Sequence, residues 1–209
     1  LAFSPLLAGC ESQPDDAFAA ARLAYNRSSP RTAMEHIERA LDARPEDARV
    51  AMLAGDIALA LGNAERAVSM FERASSTEDP SSIALAKLAE AQIMANYLSA
   101  AEKTLASLRY DVPLAYTAAI AFSLAKGDLD TAYARLKEGL AKFPDDPRLV
   151  TIDAERLWDN GQPLAAARRL APVLEHEPAI AQAQMLGGRM AMSRRALDEA
   201  SARFTAALN

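Results

Sequence analysis

Cysteine occurs once, as Cys10. One thiol closes no internal disulfide and builds no cysteine-based metal cluster. Histidine is nearly as scarce, with His36 and His176 as the two examples. His36 falls on the outward part of a helical segment, and His176 stands at a corner between Glu175 and Glu177. Adjacent residues at a helix end point in different directions, so Glu-His-Glu reads as a solvated acidic corner, not a metal site. Gly-rich phosphate loops and nucleophile elbows are missing too. The expectation is therefore no catalysis, no cofactor, no metal and no small-molecule substrate. Aromatic residues make up only 6% of the chain. No apolar run reaches the ~18 residues of a complete membrane span. Positive charge is not in excess: the net charge is −5, with no basic stripe to neutralise phosphates. Nucleic acid is set aside as a partner.

What the chain does have is alanine and a beat. Hydrophobic residues are 51% of the sequence, much of it alanine, which favours helix and close helix packing. The stretch from Ala48 to Ser81 reads as two amphipathic helices around a tight Gly62-Asn63 turn. Gly55, Ala67 and Ala74 stand where the helices must approach closely, Phe71 stands between them, and Asp79-Pro80 forms the closing corner. The same pattern recurs along the chain. The equivalents of Ala67 are Ala33, Ala101, Ala132, Ala166 and Ala200, in steps of 34, 34, 31, 34 and 34 residues. A large residue follows each: Ile37, Phe71, Leu105, Leu136, Leu170 and Phe204. Corner prolines recur as Pro45, Pro113, Pro144 and Pro178, with Pro80 one place late. Gly127-Asp128 reads as another turn and cap, Ser29-Pro30 as an N-cap followed by a proline at the first helical position. Asp15-Asp16 and Asp145-Asp146 read as caps and first-turn charges.

A helix-turn-helix period of about 34 residues resembles a tetratricopeptide array. The resemblance covers residues 14–209 and is strongest in the second helix of each unit. The family's tryptophan and tyrosine in the first helix are absent; Ala17, Ala51, Leu85, Tyr116, Val150 and Gln184 stand at the first place. The implied fold is all-α, a right-handed superhelical solenoid of about six hairpins, at about 14–47, 48–81, 82–112, 113–146, 147–180 and 181–209. The shortened step predicts a tightened corner near Tyr110 to Pro113. In such arrays first-helix side chains line a groove for a protein or peptide partner. Carried over by position, these are Phe18, Arg22, Tyr25, Met52, Asp56, Ala86, Glu90, Met94, Thr117, Ala121, Thr151, Glu155, Trp158, Met185, Arg189 and Met192. A groove bearing methionines suits a peptide or helix, although methionines also fill gaps in an alanine core. Trp158 reads equally as a hot-spot anchor or as packing. Chaperone-tail recognition by lysines and asparagines is not matched at Phe18, Arg22, Arg49, Leu53 and Lys87.

The chain opens LAFSPLLAGCESQPDD. Residues 1–10 resemble the back half of a signal peptide closing on the bacterial lipobox Leu7-Ala8-Gly9-Cys10. That resemblance implies lipid attachment at Cys10, with 11–13 as a short tether, and a position on the periplasmic face of the bacterial outer membrane. The other reading is an ordinary buried cysteine in an apolar N-terminal segment. Function is expected to be a non-enzymatic, lipid-anchored scaffold. The alternatives are a pilotin-like factor for pilus or secretion-channel assembly, a piece of a longer repeat lipoprotein of exopolysaccharide export, and a regulatory domain joined to an enzyme.

Overall fold

The computed structural model describes residues 14–208, which hold twelve α-helices and no strand. They pair in chain order: α1 (Pro14–Asn26) with α2 (Pro30–Ala43), α3 (Ala48–Ala60) with α4 (Ala64–Ser75), and α5 (Ser82–Met94) with α6 (Leu98–Ala106). Then come α7 (Pro113–Ala125) with α8 (Leu129–Lys142), α9 (Pro147–Asp159) with α10 (Pro163–His176), and α11 (Ala181–Ser193) with α12 (Leu197–Ala207). The chain forms two compact units, the first ending at Pro80 and the second beginning at Ser81. In the first, α2 also packs on α3; in the second, α5, α7, α9 and α11 pack in succession. Within each unit a helix packs on its hairpin partner and on helices of the adjacent repeat, the arrangement of an all-α repeat fold.

One turn geometry joins all six pairs. Ser28, Gly62, Asn96, Gly127, Gly161 and Arg195 all have φ between +54° and +74°. The next residue donates its N–H five residues back, as in Ser29 to Ala24 (3.0 Å), Asn63 to Ala58 (2.9 Å) and Ala196 to Ala191 (3.0 Å). This bond and the left-handed residue end the first helix, and the donor residue is the N-cap of the second. The six turn residues step by the same intervals as the alanines. Backbone geometry and sequence period therefore report one register.

Capping is uneven. Asn63 accepts from the N–H of Arg66 and Asp128 from that of Thr131, both at 3.0 Å. Asp47, Ser81 and Asp146 cap α3, α5 and α9 in the same way. Ser29 holds the N-cap position before Pro30 but does not cap: its hydroxyl donates to the Arg27 carbonyl at 3.4 Å. The preceding left-handed Ser28 and its turn draw that side chain back toward the outgoing helix.

The alanine of each second helix is sealed, with Ala33, Ala67, Ala101, Ala132 and Ala166 at 0% exposure and Ala200 at 1%. Opposite the large residue of each second helix stands Ala21, Gly55, Ala89, Ile120, Ala154 or Gly188 in turn. The two glycines fall where the large residue is phenylalanine. A Cβ on Gly55 would lie 2.3 Å from Phe71 Cε1, and one on Gly188 2.4 Å from Phe204 Cε1. Ring volume and missing methyl compensate each other.

The short step is absorbed differently from the sequence expectation. The connection 107–112 between α6 and α7 has the same length as 76–81 between α4 and α5, so the corner is not tightened. Instead α6 stops early and spans only 9 residues, against 12 in α4 and 14 in α8. The early stop lets Leu108 enter the core beside Leu105 and Ala115. Tyr110 fixes the connection from outside: its ring centroid is 5.0 Å from that of Tyr116, and its carbonyl accepts from Lys142 Nζ.

Candidate binding groove

Alignment of the six repeats sorts the first-helix positions into columns. Arg22, Asp56, Glu90, Ala121, Glu155 and Arg189 form one; Tyr25, Leu59, Ile93, Leu124, Trp158 and Met192 form another. In the second unit, α5, α7, α9 and α11 stand side by side, and the middle of the charged column opens into a cavity of about 210 Å³. The sequence-predicted residues Glu90, Thr117, Ala121 and Glu155 all line it. Ala121 is the small member between two carboxylate-bearing repeats, so the floor is left open and the charges flank it. Leu114, Ala118, Ile120, Leu124, Arg148, Ile152 and Gln182 complete the wall. Sequence reasoning missed these seven; the repeat register marks Leu114, Arg148 and Gln182 as equivalent places two turns before Ala121, Glu155 and Arg189.

The lower end of this wall is cross-tied. Arg189 on α11 donates to Glu155 at 2.9 Å and to Asp159 at 3.4 Å, both on α9, and Gln182 reaches Glu155 at 3.4 Å. These partly exposed pairs contribute little stability, but they hold the Glu155 carboxylate in one place. Of the predicted methionines, Met94, Met185 and Met192 are open to solvent at 56%, 46% and 50% exposure. Ala86 and Thr151 are buried, and the Thr151 hydroxyl is satisfied by the Pro147 carbonyl at 2.7 Å. Trp158 does not share the cavity of Glu155. It packs against the core of α9, α10 and α11 and lines a second, larger cavity with Leu164, Leu174 and Met190.

In the first unit, Tyr25 and Phe18 pack on the core formed by Ala21, Ala33, Ile37 and Ile57, and Met52 is half-buried. Arg22 is exposed. Burial pushes the Tyr25 phenol above its ordinary value, and the nearby Asp56 carboxylate adds to the shift. Two predicted residues from consecutive repeats are thus brought together. Cys10 and the rest of the lipobox lie outside the described residues. Among the described residues no three His, Cys, Asp or Glu side chains converge to hold a metal, and no helix is long and apolar enough to cross a membrane.

The register seen in the turns, alanines and columns is matched by a family model, tetratricopeptide repeat, over residues 18–83 and 154–208, more than half of the chain. The chain belongs to the tetratricopeptide repeat family. No curated protein matches it. Its fold is similar to that of a tetratricopeptide repeat protein from Parabacteroides merdae, with a TM-score of 0.72 at 14% identity over 95% of this chain and 79% of that one. A thermophilic tetratricopeptide repeat protein from Thermus thermophilus gives 0.71 at 20% identity over 87% and 99%. PilW, a type IV pilus biogenesis factor, gives 0.62 at 19% identity over 92% and 90%. At these identities the likeness is one of fold. Tetratricopeptide repeat arrays are scaffolds for protein partners.

Proposed function

We propose that the chain is a non-enzymatic adaptor that holds a protein or peptide segment along the first helices of its second unit. The observation that carries this reading is the small-floored cavity at Ala121, with Leu114, Leu124 and Ile152 as apolar wall and Glu90 and Glu155 flanking it. Such a surface offers apolar contact in the middle and charged selection at its edges, which suits an extended or helical segment with alternating character. The test is direct. Ala121→Tyr fills the floor from a part-exposed position, so the helices should keep their far-ultraviolet circular dichroism. Partner binding should fall at least tenfold; unchanged binding would remove the groove from consideration.

We further propose that the adaptor works in the bacterial envelope, tethered by lipid on Cys10. The support is the Leu7-Ala8-Gly9-Cys10 resemblance together with the similarity of fold to a pilus biogenesis factor. Pilus or secretion-channel assembly is the more specific form of this reading, and exopolysaccharide export the alternative. Expression behind a complete signal sequence with an alkyne-labelled fatty acid should label the protein and place it in the membrane fraction. Cys10→Ser should abolish both signals. A wild-type protein that stays unlabelled would overturn the anchor without touching the groove.

A further inference from the structure

The second cavity, of about 580 Å³, lies between α10 and α11–α12 and shares no lining residue with the groove at Ala121. Its meaning comes from the same place one repeat earlier. There Leu136 and Leu140 of α8 form an apolar floor under Tyr133 and Lys137, beside Asp153 and Arg156 of α9. The Arg156 guanidinium lies 5.8 Å from the Tyr133 ring centroid. Asp153 holds Arg156 at 2.8 Å and Arg169 at 3.1 Å. Moved on by one period of 34 residues, the floor is kept as Leu170 and Leu174, but the filling is gone. Tyr133 becomes Ala167, Lys137 becomes Ala171, Asp153 becomes Gly187 and Arg156 becomes Met190. All six equivalent residues line the larger cavity, and the volume rises from about 340 to about 580 Å³. Four side chains are truncated or made apolar at once, and no helix moves in to close the space.

Arginine is the other constant of this register. Arg135, one repeat before Arg169 and two before Arg203, lies 4.9 Å over the Tyr110 ring. Arg203 reaches into the large cavity across Gly187, where an added Cβ would lie only 2.9 Å from its Cδ. Glu199 at 3.0 Å and Gln184 at 3.4 Å hold that arginine in place. Leu164 at the mouth is 73% exposed.

We propose that this cavity receives an aromatic side chain from a protein partner, which supplies from outside the ring that Tyr133 supplies from within. The ring would rest on Leu170, Leu174 and Met190, with the Arg203 guanidinium toward its face. The electrostatics favour it, because a cation is drawn to the negative face of an aromatic ring and this unit already sets arginine over tyrosine twice, Arg135 over Tyr110 and Arg156 over Tyr133. The volume falls within the ~300–1,000 Å³ of pockets that enclose small organic ligands, room enough for an aromatic ring. The partner's protein nature rests on the adaptor reading above; the cavity itself does not.

Trp158 is the sole tryptophan and lines the cavity, so its emission reports occupancy. The full chain is titrated with toluene and with its saturated analogue methylcyclohexane. Dodecapeptides from a random display library are then selected on it. The plugged variant Ala167→Tyr with Met190→Arg rebuilds the earlier repeat, and Ala171→Lys alone is the milder version. Toluene should shift Trp158 emission saturably, methylcyclohexane several-fold more weakly, and plugging should weaken toluene at least tenfold. Selected peptides should share an aromatic residue, lose at least tenfold on the plugged chains and keep binding to Ala121→Tyr. The proposal is overturned if toluene does not bind, if both rings bind equally, or if neither plug matters. Toluene binding without any aromatic peptide would also overturn it, by making the site one for small molecules. Peptides lost on Ala121→Tyr but indifferent to the plug would leave the groove standing and remove this cavity; peptides that bind neither surface would remove both.

Discussion

The ring of Phe71 on α4 occupies the space where Gly55 on α3 lacks a side chain, with 2.3 Å between Phe71 Cε1 and the position a Cβ would take. Gly188 and Phe204 repeat the relationship at 2.4 Å, but Phe71 is fully buried while Phe204 is part-exposed. A methyl group added at Gly55 must push a ring that has nowhere to go. Gly55→Ala is expected to cost about 1–3 kcal/mol as overpacking, against a helix-propensity gain of about 1 kcal/mol. Gly188→Ala should cost less, because the Phe204 ring can move toward solvent. The double variant Gly55→Ala with Phe71→Leu should recover part of the loss, since it restores the Ala–Leu pairing of Ala89 with Leu105. Urea unfolding of the four proteins checks this; equal costs at Gly55 and Gly188 would refute the packing argument.

A second prediction concerns backbone rather than space. No atom lies within 4 Å of a Cβ built on Gly62, whose φ is +74°. Gly62→Ala should therefore cost about 1 kcal/mol through conformation alone. Arg195 occupies the equivalent place with φ +61° and is exposed. Arg195→Gly should gain roughly 1 kcal/mol at the same position. A loss on removing glycine at one turn and a gain on introducing it at the equivalent turn, both read by urea unfolding, would establish that left-handed geometry, and not side-chain contact, sets the energy.

How much of this could be read in advance follows from where the information sits. Ala33 through Ala200 and the prolines fixed the hairpins, because a close approach between helices tolerates only small residues and leaves a visible period. The turn at Gly62 was legible and the one at Arg195 was not, since arginine carries no sign of a left-handed backbone. The early end of α6 was also hidden. A deletion of three residues fits either a loop or a helix end, and the choice depends on Leu108 finding the core. Glu90, Thr117, Ala121 and Glu155, named from position alone, line one cavity. Trp158, read in the sequence equally as anchor or packing, packs on the core and lines a separate cavity; that cavity was not legible, because the large space beside Trp158 exists only through what Ala167, Ala171, Gly187 and Met190 fail to fill.

Caps give a third, cheaper test. Ser29 precedes Pro30 and matches the usual N-cap pattern, yet its hydroxyl turns to Arg27. Ser29→Ala should change stability by only a few tenths of a kcal/mol, whereas Asp128→Ala, which removes a bond to the Thr131 N–H, should cost about 1 kcal/mol. Thermal unfolding of both variants compares them. A Ser29→Ala loss as large as that of Asp128→Ala would mean the serine caps α2 after all.

The last prediction is a pH dependence located at one carboxylate. Asp47 caps α3, accepts from the Arg49 N–H at 2.9 Å and from its Nη2 at 2.9 Å, and has Arg44 Nη1 at 3.7 Å. The hydrogen bond from the Arg49 side chain is the main cause that holds its pKa down at about 2, below the usual 3.8. The folded chain therefore binds this proton more weakly than the unfolded chain does. The contribution is complete above the unfolded value near pH 4 and is lost as pH falls toward 2. Asp47→Asn keeps an oxygen able to cap the helix but cannot titrate. Between pH 5 and pH 2 the wild-type chain should lose more stability than this variant, with the difference opening only below about pH 4. Urea midpoints taken at each pH measure it, and a carbon-detected titration of the Asp47 carboxyl locates it. Parallel curves for the two proteins would show that the Asp47–Arg49 clasp does not form in solution.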